Sequence, residues 1–163
     1  MSTFDPERLL KALARRRVRY VLIGAVAARL QGFPRMTADT DIAPAQDDEN
    51  LRRLAAALRD IKAKVYTESV PDGLPFDCSA QSLARARVWH FVTTAGRVDV
   101  AFEPSGTTGY DDLIRSAVAF TAFGVEVQAA SLEDILRSKQ AADRPQDRQD
   151  VVVLREMLRK RQR

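Results

Sequence analysis

The stretch from Tyr20 to Asp41, YVLIGAVAARLQGFPRMTADTD, constrains this chain more than any other. It opens on an apolar strand, Tyr20-Val21-Leu22-Ile23, and turns at Gly24 into a short helix of small residues. Gly32-Phe33-Pro34 breaks that helix, and the stretch closes on Asp39-Thr40-Asp41. On an extended chain, carboxylates two residues apart project to the same face. Like charges buried that close need a cation, a proton or a dense hydrogen-bond network. A Mg²⁺ ion held by one or two carboxylates plus substrate phosphates is a common solution. The free N–H groups where the Gly24 turn enters its helix suit a phosphate. Taken alone, the same acid pair equally fits a helix cap in a surface loop, so the rest of the chain has to decide.

A chain of 163 residues fits one domain with a real core, and we expect a single domain over 1–163. No apolar run is long enough to span a bilayer, and the start MSTFDPERLL lacks a signal-peptide pattern. The single cysteine, Cys78, excludes an internal disulfide and a cysteine zinc cluster, and fits a free thiol in a cytoplasmic protein. The formal charge of +4 concentrates at Arg15-Arg16-Arg17 and in a basic tail over 159–163. Such clusters could meet nucleic acid, or serve as solvated helix ends.

Along the chain, Asp5-Pro6 reads as a helix start, with Leu9, Leu10 and Leu13 inward. Residues 18–23 form a strand apolar enough to be covered on both faces, and Asp39 to Ala43 form a second, ended by Pro44. Asp47-Asp48-Glu49 opens a helix with Leu51, Leu54 and Leu58 inward. Residues 64–67 suggest a short strand, and 68–84 a loop with a helical turn near Ser79. Residues 88–102 read as a hairpin turning at Ala95-Gly96, which would set Val92 opposite Asp99 and His90 opposite Ala101. Its outer face carries His90, Val92, Arg97, Asp99 and Glu103. An aspartate in mid-strand needs a partner, and Arg97 or Arg35 would be an alternative to a metal for Asp99. A short helix over 110–115 precedes a second hairpin around Phe123-Gly124. Ser131-Leu132-Glu133-Asp134 then reads as a capping box. Two helical turns after Leu132, Lys139 falls on the buried stripe, where a lysine either snorkels or meets an anion. We expect that anion to be the acid cluster or a bound triphosphate, so that removing the charge leaves the fold intact. Asp143 to Asp147 opens a last helix with Val151, Leu154 and Leu158 inward.

Together these parts fit nucleotidyl transfer: Asp39, Asp41 and Asp99 for metal, Gly24 for phosphate, Lys139 for triphosphate charge. The pattern also resembles the DNA polymerase β-like nucleotidyltransferase superfamily, in particular small bacterial proteins of the AbiEii type. The resemblance rests on Ile23-Gly24-Ala25, on Asp39-Thr40-Asp41 and on Asp99 within Gly96-Arg97-Val98-Asp99-Val100. It extends to Arg35 and Thr37 ahead of the acid pair, and to Lys139, Arg144, Pro145, Asp147 and Asp150, covering about residues 18–155. It implies an α/β (α+β) fold: a small mixed sheet with helices packed on it and a C-terminal helical pair. It implies Asp39, Asp41 and Asp99 as catalytic metal ligands, and Gly24, Ala25, Arg35, Thr37, Lys139 and Arg144 as nucleotide-binding residues. The cofactor would be one or two Mg²⁺ ions, with Mn²⁺ as an alternative. The reaction would move a nucleotide monophosphate from an NTP such as ATP to an RNA (tRNA) or protein acceptor. The setting would be a toxin–antitoxin or phage-defence module with a cognate toxin or antitoxin partner. Ala25 departs from the Gly or Ser usual in the family, which removes a hydroxyl contact to phosphate and keeps the backbone N–H. Two rivals stand beside this reading: a non-catalytic, antitoxin-like binding module, and a basic RNA-binding protein without chemistry.

Overall fold

The computed structural model describes residues 3–162. Helix α1 (Pro6–Arg15) starts where the sequence predicts, with Asp5 Oδ1 accepting the Arg8 N–H at 3.0 Å and Pro6 in the first turn. It buries Leu9, Leu10 and Leu13 against α3 (Asp48–Asp60), whose Leu51, Leu54 and Leu58 join the same core. Between them run β1 (Tyr20–Ile23), α2 (Gly24–Leu30) and β2 (Asp39–Pro44). Val21 and Leu22 have no exposed surface, as expected for a strand covered on both faces.

After α3 come β3 (Lys64–Val65), α4 (Ala80–Leu83), β4 (Val88–Thr93) and β5 (Gly96–Ala101). Helix α5 (Tyr110–Leu113) runs into a tighter turn over Ile114–Ser116, and β6 (Val118–Ala122) and β7 (Val125–Ala129) form the second hairpin. Helices α6 (Leu132–Ala142) and α7 (Pro145–Arg161) close the chain as a packed pair. The seven strands make one mixed sheet in the order β3-β4-β5-β2-β1-β7-β6. This is the small mixed sheet with packed helices and a C-terminal helical pair that the sequence predicts. Of the basic tail, Arg159, Lys160 and Arg161 belong to α7, while Arg163 lies outside the described residues. No described helix is long and apolar enough to cross a membrane.

The centre of the sheet positions the acids. Strand β2 runs antiparallel to β1 with Ile23 opposite Asp41, and parallel to β5 with Asp41 opposite Asp99. A buried amide clips the far ends of the same strands. Asn50 Nδ2 donates to the Arg19 and Ala45 carbonyls at 2.9 and 2.8 Å, and its Oδ1 accepts the Arg19 N–H at 2.7 Å. All three bonds are made by a side chain with no exposed surface, so they are retained in a low-dielectric core.

The β4–β5 hairpin departs from its predicted register. The turn lies at Thr94-Ala95, Thr93 pairs with Gly96, and His90 stands opposite Asp99. Thr93 closes this turn, its Oγ1 donating to the Gly96 carbonyl at 2.8 Å and accepting the Ala95 N–H at 2.9 Å. Gly96 has φ +94°, and a Cβ there would meet Phe4 Cα and the Thr3 carbonyl, each at 2.9 Å. The N-terminal segment therefore crosses this strand end at a point open only to glycine. The slip is an even one, so the side chains keep their faces. At Ser131, whose Oγ accepts the Asp134 N–H at 3.1 Å, the reciprocal half of the expected capping box is absent among the bonds of α6. Asp134 pairs with Arg137 at 3.1 Å instead.

Candidate functional site

The site begins where β1 stops. Gly24 has φ +68°, a left-handed conformation that favours glycine, and turns the chain from β1 into α2. A Cβ at this position would overlap Asp41 Oδ2 and sit 3.0 Å from the Asp41 carboxyl carbon. The missing side chain of residue 24 is thus the space that the Asp41 carboxylate occupies. No side chain caps α2, so its first N–H groups receive no side-chain acceptor.

Asp41 and Asp99 are direct neighbours across β2 and β5 on one face of the sheet. Burial pushes the Asp41 carboxyl up to about 7, and the Asp99 carboxylate beside it, a hydrogen bond between the two, and Asp39 push the same way. Lys139 acts in the opposite direction. Asp99 Oδ1 lies 2.8 Å from His90 Nδ1, so neither Arg97 nor Arg35 is its partner. His90 is the strand residue facing Asp99, and more than half of its side chain is exposed.

Asp39 shares the face of Asp41, and Arg97 Nε lies 3.8 Å from its Oδ1. The Arg97 guanidinium in turn covers the Tyr66 ring at 3.8 Å from the centroid. Thr37 Oγ1 donates to the Asp39 carbonyl at 3.1 Å and accepts the Asp39 N–H at 3.2 Å, which shapes the approach to β2.

Lys139 lies on the buried side of α6, as its spacing predicts; its ion pairs are with Asp147 and Asp150, while its charge also acts on Asp41. Its Nζ is 2.9 Å from Asp150 Oδ2 and 3.6 Å from Asp147 Oδ1, both on α7. Arg144 is the N-cap residue of α7, and its Nε donates to Asp147 Oδ2 at 2.8 Å. Arg35 reaches the same helix, with Nη2 donating to Asp150 Oδ2 at 2.6 Å.

These elements surround a cavity of about 460 Å³. Its lining includes the acids Asp41, Asp99, Glu103, Asp134 and Asp147, the cations Lys139 and Arg144, His90 and Gly24, together with apolar Val88, Val100, Leu113 and Ile135. That volume and mixture suit a small polar ligand with an apolar portion. Of the residues singled out from sequence, the structure brings Gly24, Asp41, Asp99, Lys139 and Arg144 to this cavity. Ala25, Arg35, Thr37 and Asp39 lie outside its lining. Sequence reasoning allowed for the pairing of Arg144 with Asp147, but it missed the pairing of His90 with Asp99 and the contacts of Asp150 with Arg35 and Lys139. His90 did fall on the face of Asp99, and Asp150 lies one helical turn after Asp147, so both signals were present without these partners assigned.

The donor set at Asp41 and Asp99 fits a hard divalent cation. Both supply carboxylate oxygens, and a cation would offset the burial and the like-charge repulsion that push the Asp41 carboxyl up. Among the described residues no group of three His, Cys, Asp or Glu side chains is gathered to hold a metal ion. Two carboxylates suffice for Mg²⁺ where substrate phosphates and water complete its shell.

The sequence matches no family model and no curated protein. The fold is similar to a solved structure from Thermotoga maritima described as a "putative nucleotidyltransferase" (TM1012). The TM-score is 0.54 at 17% identity, and the match covers 98% of each chain. This chain therefore has a nucleotidyltransferase-like fold.

Proposed function

We propose that this chain transfers a nucleotide monophosphate from an NTP to an acceptor hydroxyl, the hydroxyl oxygen losing its proton and bonding to the α-phosphorus as the bond to the departing pyrophosphate breaks, with a divalent metal ion as cofactor. The observation that carries this reading is the Asp41–Asp99 pair, in register in the lining of a cavity, with Gly24 ceding space to it. Asp41 and Asp99 would hold Mg²⁺ or Mn²⁺, with Asp39 as the further acid; the ion would supply Lewis-acid stabilisation of the phosphates and lower the pKa of the attacking hydroxyl.

The chain's own residues do the rest. Lys139 and Arg144, both in the cavity lining, would present cationic charge to the phosphates. The N–H group of Gly24, in the cavity lining, would donate to the phosphates, with that of Ala25 next along the chain, while Arg35 and Thr37 hold the segment that leads to the acids. His90 fixes the orientation of the Asp99 carboxylate through the 2.8 Å contact. The apolar wall takes the less polar part of the nucleotide and keeps water from the reacting phosphate. By the resemblance to AbiEii-type proteins, the acceptor is an RNA end or a partner protein, and the setting a toxin–antitoxin or defence module.

The test is incorporation of label from α-labelled NTPs into cellular RNA or protein, with Mg²⁺ or Mn²⁺, by wild type and Asp41→Ala. Label transferred by wild type alone supports the reading; equal labelling, or none with any NTP, sinks it. A second reading, a nucleotide-binding module without catalysis, is favoured by one observation: Asp39 turns to Arg97 at 3.8 Å. It predicts metal-dependent nucleotide binding with no transfer.

A further inference from the structure

Asp150 is a buried carboxylate, 4% exposed, that receives cations from two other parts of the chain. Arg35 Nη2 reaches it at 2.6 Å from the segment between α2 and β2, and Lys139 Nζ at 2.9 Å from α6. Asp147, on the same side of α7, takes Arg144 at 2.8 Å and shares Lys139 at 3.6 Å. Three cations thus converge on two acids, and two of the cations, Lys139 and Arg144, line the cavity that Asp41 and Asp99 also line.

An ammonium on a flexible four-carbon stem has many conformers, and one anchored by a buried acid has few. Arg35 is tied to α7 in the same way, through the last part of the segment that delivers Asp39 and Asp41 to β2. We infer that Asp150 is a positioning residue of the proposed nucleotide site, which holds Lys139 at the cavity wall and clamps the approach to the acid strand through Arg35. The inference rests on the proposed nucleotide-transfer reading, and its test separates the two.

The experiment is a cycle of Asp150→Asn, Lys139→Met and the double variant. Each folded protein is titrated by calorimetry with each of the four NTPs and Mg²⁺, and amide exchange is followed over residues 32–38. If Asp150 acts through Lys139, Asp150→Asn weakens nucleotide binding about tenfold or more, while the double variant binds within about threefold of the weaker single variant. Exchange over 32–38 quickens in Asp150→Asn beyond what its loss of global stability accounts for, and in Lys139→Met by no more than its loss of global stability. Fully additive losses, or unchanged exchange in Asp150→Asn, overturn the positioning role while leaving the function intact. Failure of wild type to bind any NTP overturns the function and this role with it. Should Asp150→Asn fail to fold, Arg35→Met tests the clamp: quickened exchange over 32–38 supports it, and wild-type exchange overturns it.

Discussion

The Asp41 carboxylate fills the space that a side chain at Gly24 would need. A Cβ at residue 24 would stand 3.0 Å from the Asp41 carboxyl carbon and closer still to Oδ2. Gly24→Ala therefore meets two penalties, the positive φ of +68° and a collision with an acid of the site. We expect it to cost about 1–3 kcal/mol of stability. It should also turn Asp41 away from Asp99 and weaken Mg²⁺-dependent nucleotide binding. Urea denaturation together with nucleotide titration checks both, and a variant with wild-type stability and affinity would show that the close approach has no consequence.

The raised Asp41 carboxyl makes stability depend on pH when metal is absent. Its folded value is about 7, well above the roughly 3.9 of an unfolded aspartate. The native state thus binds a proton that the unfolded state releases. The stabilisation from that proton is fully present below the unfolded value and is lost as pH rises through the folded value. Its loss amounts to on the order of a few kcal/mol, because each tenfold difference in proton affinity is worth about 1.4 kcal/mol. In chelator, wild type should weaken relative to Asp41→Asn between about pH 4 and pH 7 and run parallel to it above. Melts across that range test the sign; parallel curves throughout would contradict a raised Asp41 carboxyl.

Lys139→Met should destabilise the fold, which reverses the expectation drawn from its helical position alone. The ammonium lies between Asp147 and Asp150, each almost wholly buried. Both acids keep a second cation, Arg144 and Arg35, so we expect a cost of about 1–3 kcal/mol, below that of a buried pair left wholly broken. Nucleotide affinity should fall about ten- to a hundredfold, the equivalent of one charge-assisted hydrogen bond. Thermal melts and NTP titration separate the two effects. A variant as stable as wild type would return Lys139 to the role of a snorkelling side chain.

What the sequence made legible follows the range of the interactions involved. Gly24, the apolar strand before it and the acids after it lie on one short stretch whose local rules agree, so β1, α2 and β2 fall where the sequence predicts. The face of Asp99 was legible because alternation survives an even slip. The register was not, because Gly96 answers to Thr3 and Phe4, which lie far away in sequence. Asp150 was recognisable as part of a familiar stretch, yet its contact with Arg35 spans 115 positions and has no local trace. The same holds for Asn50, a polar residue on an apolar helix face whose partners belong to two strand ends.

On the proposed function, Asp41 and Asp99 together form a metal site that nucleotide completes. Electron paramagnetic resonance of Mn²⁺ titrated into the protein, with and without NTP, puts that pair to the test. Wild type should give a tightly bound Mn²⁺ signal that strengthens with nucleotide and disappears in both Asp41→Asn and Asp99→Asn. Equal Mn²⁺ binding by all three proteins, with nucleotide present, would contradict it.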